Sequence, residues 1–301
     1  MIKIKYLKSN KKYASLSILI PIYNWNVKDL VLTLHNQCIK LKIQFEIICI
    51  EDCSNKTFEN KKIEKLKHVT YKILPTNIGR SKIRNLLAKK AQSQFILFID
   101  SDSYLNQNNN FIETYLKESL TIQSNTEIIY GQTLYTLQKP QHNKLLHWTY
   151  GRKIESKHKK HNFSSHHFLC KKILFHTYQF NENIDSYGYE DVDFRQGKAI
   201  KYINNPLYHI GLKNTETFIR DTESALQNIN THSTNSKILN IWMKISMIWG
   251  DRLVYGIFKI FKTLIIHNLK SNSPSMLIFQ FYKLGYFCGI KYHYIKKKTT
   301  K

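Results

Sequence analysis

Asp100 and Asp102 stand one residue apart where the apolar run FILFI (95–99) stops. In an extended chain, side chains at i and i+2 point to the same side, so both carboxylates can face one ligand. At a strand's end such a pair can share a hard divalent cation, Mg2+ or Mn2+, with substrate phosphates and water completing the shell. The same pair also suits a solvated turn or a helix cap. A second acidic constellation is SYGYEDVDF (186–194). Gly188 permits an unusual backbone turn, and Glu190 and Asp191 then open a predicted helix, where exposed amide N–H groups favour carboxylates. A carboxylate so placed can take a proton from a hydroxyl nucleophile, or it can simply begin a helix. Arg80 and Arg84, in NIGRSKIRN (77–85), stand i, i+4 on one helix face. There they either clamp phosphate oxygens or make a basic solvent face. His209, in PLYHIGL, is open to a structural or a ligand role. His158, His161, His166 and His167 have no zinc-binding spacing and are expected on the surface.

The elements that must carry these groups alternate. LSILIPIY (16–23), FEIICIE (45–51), VTYKIL (69–74) and FILFIDS (95–101) read as strands. Between them, VKDLVLTLHNQCIK (27–40) places Val27, Leu30, Val31, Leu34 and Cys38 at helical spacing, and GRSKIRNLLAKKA (79–91) turns Ile83, Leu86 and Leu87 inward. Strands alternating with helices imply βαβ units and a parallel sheet, and near-continuous apolar strands agree with a sheet covered on both faces. Ligands of such sheets bind at the carboxyl ends of the strands. Tyr23-Asn24, Glu51-Asp52 and Asp100-Ser101-Asp102 all fall at that edge, which makes it a cation or nucleotide site. Further on, a helix is expected near 111–120, a strand near 127–135 and a helix near 215–230. The basic, His-rich stretch 151–180 reads as a mobile loop over the site. The last sixty residues put Trp242, Ile245, Trp249, Leu253, Ile257, Ile260 and Leu264 at helical spacing among lysines.

The chain has 301 residues, 42% of them hydrophobic, which suffices for one large domain or a domain with an appendage. The net charge of +25 favours a polyanionic partner: nucleic acid, an anionic membrane surface or a phosphorylated substrate. Five cysteines without a C-x-x-C pair speak against a zinc ribbon or a disulfide framework and fit a reducing compartment. Neither a signal peptide nor a spanning helix is expected.

In order along the chain, LSILIPIYN, FEIICIEDCS, NIGRSKIRN, FILFIDSDS, YGYEDVDF and a following histidine resemble the family 2 glycosyltransferases. The resemblance covers about residues 15–215, and the Y-G-Y-E-D element is similar to the W-G-x-E-D element of galactosyl- and N-acetylgalactosaminyltransferases. It implies an α/β fold of the GT-A (Rossmann-like) type over residues 1–235, with a mostly parallel central sheet, and a C-terminal helical extension over 236–301. By position it implies that Pro21, Ile22 and Tyr23 line the base and ribose pocket and that Asp52 hydrogen-bonds the base, uracil. Asn77, Arg84, Asp100 and Ser101 would lie along the nucleotide sugar. Asp102, with Asp100 and His209, would hold Mn2+ or Mg2+. Asp191 would be the general base and Glu190 would help bind the acceptor. Two departures stand out: EDCS replaces the usual D-D-G-S, and SSHHFLCKK lacks an asparagine common in relatives.

The activity implied is an inverting, metal-dependent transfer of a sugar from a UDP-sugar to a hydroxyl of a glycan or lipid-linked acceptor, in cell-surface polysaccharide or glycolipid synthesis. The expected location is cytoplasmic, with peripheral contact to the inner face of the membrane through the C-terminal helices. Those helices suit either anionic lipid or packing on the catalytic domain or a partner subunit. Rival readings are a non-catalytic nucleotide-sugar-binding relative, a nucleotidyltransferase and a nucleic-acid-binding protein. Against the last, the basic residues are dispersed and carry no recognised binding motif.

Overall fold

The structure, a computed structural model, describes residues 15–56, 58–157, 163–183, 188, 190–231, 241–244 and 250–299. Its centre is a seven-stranded sheet in the order β3-β2-β1-β4-β8-β6-β9. These strands are β1 (Leu16–Ile22), β2 (Phe45–Glu51), β3 (Val69–Ile73), β4 (Phe95–Ile99), β6 (Glu127–Tyr130), β8 (His167–Lys171) and β9 (Ala199–Tyr202). β1 pairs in parallel with β2 and β4, and β2 with β3, as the alternating pattern requires. β8 alone runs antiparallel, inserted between β4 and β6. A smaller sheet, β5-β10-β7, is made of Ser103–Tyr104, Leu207–His209 and Thr133–Leu134.

Alternation along β1 divides the core. Leu16, Ile18, Ile20 and Ile22 pack with Val27, Leu30, Val31 and Leu34 of α1 (Lys28–Leu41) and with Phe111 and Tyr115 of α3 (Phe111–Ser119). Leu19 faces the other way, toward Ile83, Leu87 and Ala88 of α2 (Arg80–Lys90) and the rings of Phe98, Phe168, Phe175, Phe180 and Phe194. Both faces are therefore dry, which is why the strands read as unbroken apolar runs.

The stretch 151–180 is not the loop its composition suggests. It holds the end of α4 (Leu145–Lys153), the central strand β8 and α5 (Leu174–Thr177). His166 and His167, expected on the surface, are buried; His158 and His161 lie outside the described residues. Burial pushes His167 down to about 4, so the ring is neutral. Its Nδ1 lies 2.7 Å from the Tyr115 hydroxyl and its Nε2 3.3 Å from the Gln132 carbonyl. With both nitrogens matched, an imidazole behaves as an aromatic core residue, and a reading by polarity alone misplaces it.

α7 (Thr215–Thr231), α8 (Asp251–Leu269) and α9 (Met276–Thr299) complete the chain. α8 and α9 form a hairpin whose Phe258, Ile265, Leu269, Phe279 and Tyr282 pack with Phe218 of α7 and Leu146 of α4. Among the positions at helical spacing, Trp242 is buried, whereas Leu253, Ile257, Ile260 and Leu264 are exposed on the outer face of α8. Ile245 and Trp249 lie outside the described residues.

Candidate active site

The carboxyl ends of β1, β2 and β4 do gather polar groups, and α2 supplies the cations. Arg84 is almost fully buried, at 1% exposure, and its Nη2 donates to Asp100 Oδ1 at 2.7 Å. One turn earlier, Arg80 Nε reaches Glu190 Oε1 at 2.9 Å and its Nη2 lies 3.6 Å from Asp100 Oδ2. Arg84 Nη1 also lies 3.7 Å from Glu190. The i, i+4 spacing thus places both guanidiniums between the end of β4 and the start of α6 (Glu190–Phe194). Arg84 Nε is buried and has no hydrogen-bond partner among the described residues.

Gly188 sets the approach to α6. Its φ is +100°, and a Cβ there would stand 2.5 Å from Ala225 Cβ of α7, so only glycine fits. Burial works against ionisation of Glu190, but Arg80 and Arg84 more than offset it and hold its carboxyl below the usual value. Asp191 goes the other way. Burial, reinforced by the Glu190 charge, pushes it up to about 6 against the opposing pull of Arg80, Val192 N–H and Arg84. Two adjacent carboxylates therefore divide into one that stays ionised and one poised near neutrality.

On the other side of Arg80, Asp102 Oδ2 and His209 Nε2 are 2.8 Å apart, with side chains 25% and 19% exposed. Gly211 makes room for this carboxylate, since a Cβ on it would fall 2.0 Å from Asp102 Oδ2. Burial opposes the charge on Asp102, yet His209, His166 and Arg80 together hold it well below the usual carboxylate range. Burial likewise disfavours charge on His209, but Asp102 outweighs it and raises the imidazole. Arg80 links two of the distant acidic segments directly, through Glu190 and Asp100, and its charge also acts on Asp102 and Asp191. A carboxylate and an imidazole side by side are donors that Mn2+ accepts, with phosphate and water completing the shell, so the pair fits a divalent cation. Among the described residues no group of three His, Cys, Asp or Glu side chains converges as a metal cage. Asp100 is engaged by the arginines instead.

The nucleotide-side residues fall at the same edge, in varied settings. Tyr23 is exposed, with its hydroxyl 3.4 Å from Asn55 Nδ2, whereas Ile22 points into the core and contributes its carbonyl to Asp52 N–H at 2.8 Å. Pro21 and Ser101 are half-buried. Asp52 is buried and accepts Ile78 N–H at 2.7 Å and Gly79 N–H at 2.9 Å, one on each carboxylate oxygen, while Asn77 Nδ2 donates to its carbonyl at 2.9 Å. It thereby ties β2 to the start of α2. Cys53 explains the unusual EDCS: its φ of +53° is the left-handed conformation that glycine adopts freely. Glu51 is buried beneath, where the Tyr71 hydroxyl donates to it.

Three site neighbours carried no sequence signal. Tyr135 and Glu155 lie behind His209, the Tyr135 hydroxyl 2.9 Å from His209 Nδ1 and donating to Glu155. The His147 ring stands 5.5 Å from that of His209.

This architecture is the GT-A fold. The S. aureus TarS 1–349 structure in complex with UDP-GlcNAc superposes with a TM-score of 0.50 at 16% identity, over 94% of this chain and 92% of that one. Glucosyl-3-phosphoglycerate synthase from Mycobacterium tuberculosis, in complex with Mn2+, UDP and glucosyl-3-phosphoglycerate, gives 0.50 at 14% identity over 74% and 82%. In sequence, residues 17–178 match Glycosyl transferase family 2. That is more than half of the chain, and the chain belongs to this family. The poly(ribitol-phosphate) beta-N-acetylglucosaminyltransferase TarS of S. aureus is 32% identical over 96 residues, 30% of this chain and 17% of TarS. An uncharacterized glycosyltransferase of Haemophilus influenzae is 36% identical over 95 residues, 30% of this chain and 37% of that protein. The chain thus spans well under half the length of either relative.

Proposed function

We propose that this protein transfers a sugar from a nucleoside diphosphate sugar, UDP-linked, to a hydroxyl of a glycan or lipid-linked acceptor, with inversion. The observation that carries the reading is the division of labour around Arg80 and Arg84. Asp191 is raised to about 6, as suits a general base, beside a Glu190 whose carboxyl the two arginines hold low, and the charge of Arg80 reaches Asp102, which is paired with His209. Asp191 Oδ1 accepts Val192 N–H at 2.8 Å, which leaves Oδ2 to receive the acceptor proton. As that proton passes to Asp191, the acceptor oxygen bonds to the anomeric carbon. The bond to the diphosphate breaks on the opposite face, its electron pair remaining on the leaving oxygen. Asp102 and His209 would hold a divalent cation, which would supply charge neutralisation for that leaving group. Glu190 orients the acceptor, and Arg80 is within reach of the phosphates. Tyr23 offers a ring to the base. Asp52 and Asn77 shape the pocket floor, Pro21, Asp100 and Ser101 line its inner side, and the buried Ile22 and Arg84 act from beneath, Ile22 through its carbonyl on Asp52 and Arg84 through its hydrogen bond to Asp100.

UDP as the carrier is supported by the ligands of the two superposed structures. The net charge of +25 supports an anionic acceptor, of the kind the TarS name describes. The outer face of α8 supports a peripheral position on an anionic membrane. Leu253, Ile257, Ile260, Phe261 and Leu264 are exposed there beside Arg252, Lys259 and Lys262. Residues 252–301 contain no Asp or Glu. Such a face suits shallow insertion among anionic headgroups. Among the described residues no helix is long and apolar enough to cross a membrane.

A thermal-shift screen of UDP-, GDP- and dTDP-sugars with and without Mn2+ tests the donor. A shift with UDP-sugars that grows with Mn2+ is the expected outcome. Equal responses to all carriers would overturn the UDP assignment, and binding without release of UDP would favour the non-catalytic relative.

A further inference from the structure

The small sheet brings three otherwise unrelated groups into line. Asp102 immediately precedes β5, His209 ends β10 and Tyr135 immediately follows β7, and β10 lies between the other two strands. His209 is thereby held between Asp102 on its Nε2 side, at 2.8 Å, and the Tyr135 hydroxyl on its Nδ1 side, at 2.9 Å. Its ring is walled by Tyr135, His147 and His166, with centroids 5.3, 5.5 and 5.3 Å away. His166 is itself fixed by Ser103 Oγ at 2.9 Å and Thr133 Oγ1 at 3.1 Å, and His147 Nδ1 accepts Lys213 N–H at 2.9 Å. The ring of His209 is thus held at both nitrogens and flanked by three other rings.

Proton counting then fixes which nitrogen is which. The Tyr135 hydroxyl donates to Glu155. A carboxylate only accepts, and a phenol has one proton to give. Once that proton is committed to Glu155, the Tyr135 oxygen faces His209 as an acceptor, so Nδ1 must be the N–H. We propose that Tyr135 and Glu155 are positioning residues that keep the proton on His209 Nδ1, so that Nε2 is the nitrogen offered, with Asp102, to a divalent cation. The proposal rests on the metal reading of the site above. An imidazole held in this way is oriented and made a better donor by the group behind it. The packing agrees: Tyr135 is buried, and its ring lies so close over α4 that a Cβ on Gly151 would stand 2.3–2.5 Å from three ring atoms. Gly151 thus permits the ring position that brings the hydroxyl between Glu155 and His209.

Two measurements on the full chain decide it. The first is Mn2+ titration in the presence of UDP, followed by the electron paramagnetic resonance signal of free aqueous Mn2+. Tyr135→Phe keeps the ring and loses the hydroxyl. Glu155→Gln lets an amide donate to the Tyr135 oxygen, so the phenol proton turns to Nδ1 and drives the imidazole proton onto Nε2. Each variant should weaken Mn2+ binding about 10- to 100-fold, with an unfolding transition as cooperative as that of the parent. Unchanged Mn2+ affinity in both folded variants overturns the proposal. The second measurement does not need the metal. In Asp102→Ala, at alkaline pH, long-range proton–nitrogen spectra of His209 report the tautomer set by Tyr135 and Glu155 alone. Nδ1–H is expected; Nε2–H overturns the assignment. If the parent chain fails to bind Mn2+ while the spectra show Nδ1–H, the metal reading fails and the orienting pair stands.

Discussion

Asp191→Asn should abolish turnover and make the protein more stable, and the two effects should share one pH dependence. Asp191 is raised from 3.8 to about 6 by burial and by Glu190, against Arg80 and Arg84. The fold therefore favours the protonated carboxyl. The stability this confers is complete below the unfolded value and is lost as pH rises through about 6. A shift of about two units corresponds to about 3 kcal/mol of strain in the ionised state at neutral pH. Asparagine keeps the oxygen that accepts Val192 N–H and cannot ionise, so the variant should escape that cost. Calorimetry at about pH 7.5 should show a Tm about 5 °C above the parent, with the difference vanishing near pH 4. Release of UDP from the donor should fall about 10²- to 10⁴-fold in the variant. In the parent, kcat/KM should fall on the acid side with a midpoint near 6, leaving about one tenth of the plateau rate at pH 5. A variant that turns over normally, or one destabilised at neutral pH, would refute the reasoning. It would mean that Asp191 is held ionised by its neighbours and is not the base.

Cys53→Gly should raise the urea midpoint, by about 1 kcal/mol in stability, because Cys53 holds a φ of +53° that costs a residue with a Cβ; an unchanged or lower midpoint would show that the thiol's contact with the Pro75 carbonyl matters more. Gly211→Ala would place a methyl 2.0 Å from Asp102 Oδ2, so UDP affinity in Mn2+ should drop at least tenfold, with little change in affinity measured with EDTA. Ile260→Glu with Leu264→Glu reverses the character of the α8 outer face without touching its packed side, since those side chains are 76% and 66% exposed. Sedimentation with phosphatidylglycerol vesicles should fall several-fold while turnover of a soluble acceptor is unchanged, and equal pelleting would remove α8 as the contact.

What could be read in the chain beforehand follows from which physical signal each element leaves. β1, β2 and β4 are dry on both faces, so they appear as apolar runs that end abruptly where the site begins. Arg80 and Arg84 were legible because helical periodicity alone puts them on one face. β8 was not, because His167 and Lys171 bound a core of only three apolar residues, Phe168, Leu169 and Cys170, and neutralisation of a buried imidazole leaves no trace in composition. Tyr135 and Glu155 were invisible for another reason. Nothing local marks a tyrosine that matters through a histidine 74 positions away. The exposed face of α8 lay between these cases: its spacing declared a helix, but only the packing of Phe258 and Ile265 showed which side was left outside.

The resting charge balance bears on why a cation would be needed at all. Arg80 and Arg84 are matched by Asp100 and Glu190, and Asp191 adds a further negative charge whenever it ionises. A diphosphate arriving in this cleft meets carboxylates that already compete for both guanidiniums, and Arg84 is too deeply buried to follow a ligand outward. Arg80, 41% exposed, can turn toward a phosphate only by loosening its hold on Glu190. That would deepen the repulsion between Glu190 and Asp191 and make Asp191 more basic just as the donor binds. On the proposed function, a cation held by Asp102 and His209 would offset part of the diphosphate charge, so that Arg80 loosens only in part and Glu190 stays ionised to orient the acceptor. On this account donor binding and base strength are coupled through Arg80. In Arg80→Lys the charge stays but the simultaneous reach to Asp100 and Glu190 is lost. Its acid limb should therefore respond less to saturating UDP-sugar than that of the parent. An identical displacement of the limb in both proteins would show that Arg80 does not carry the coupling.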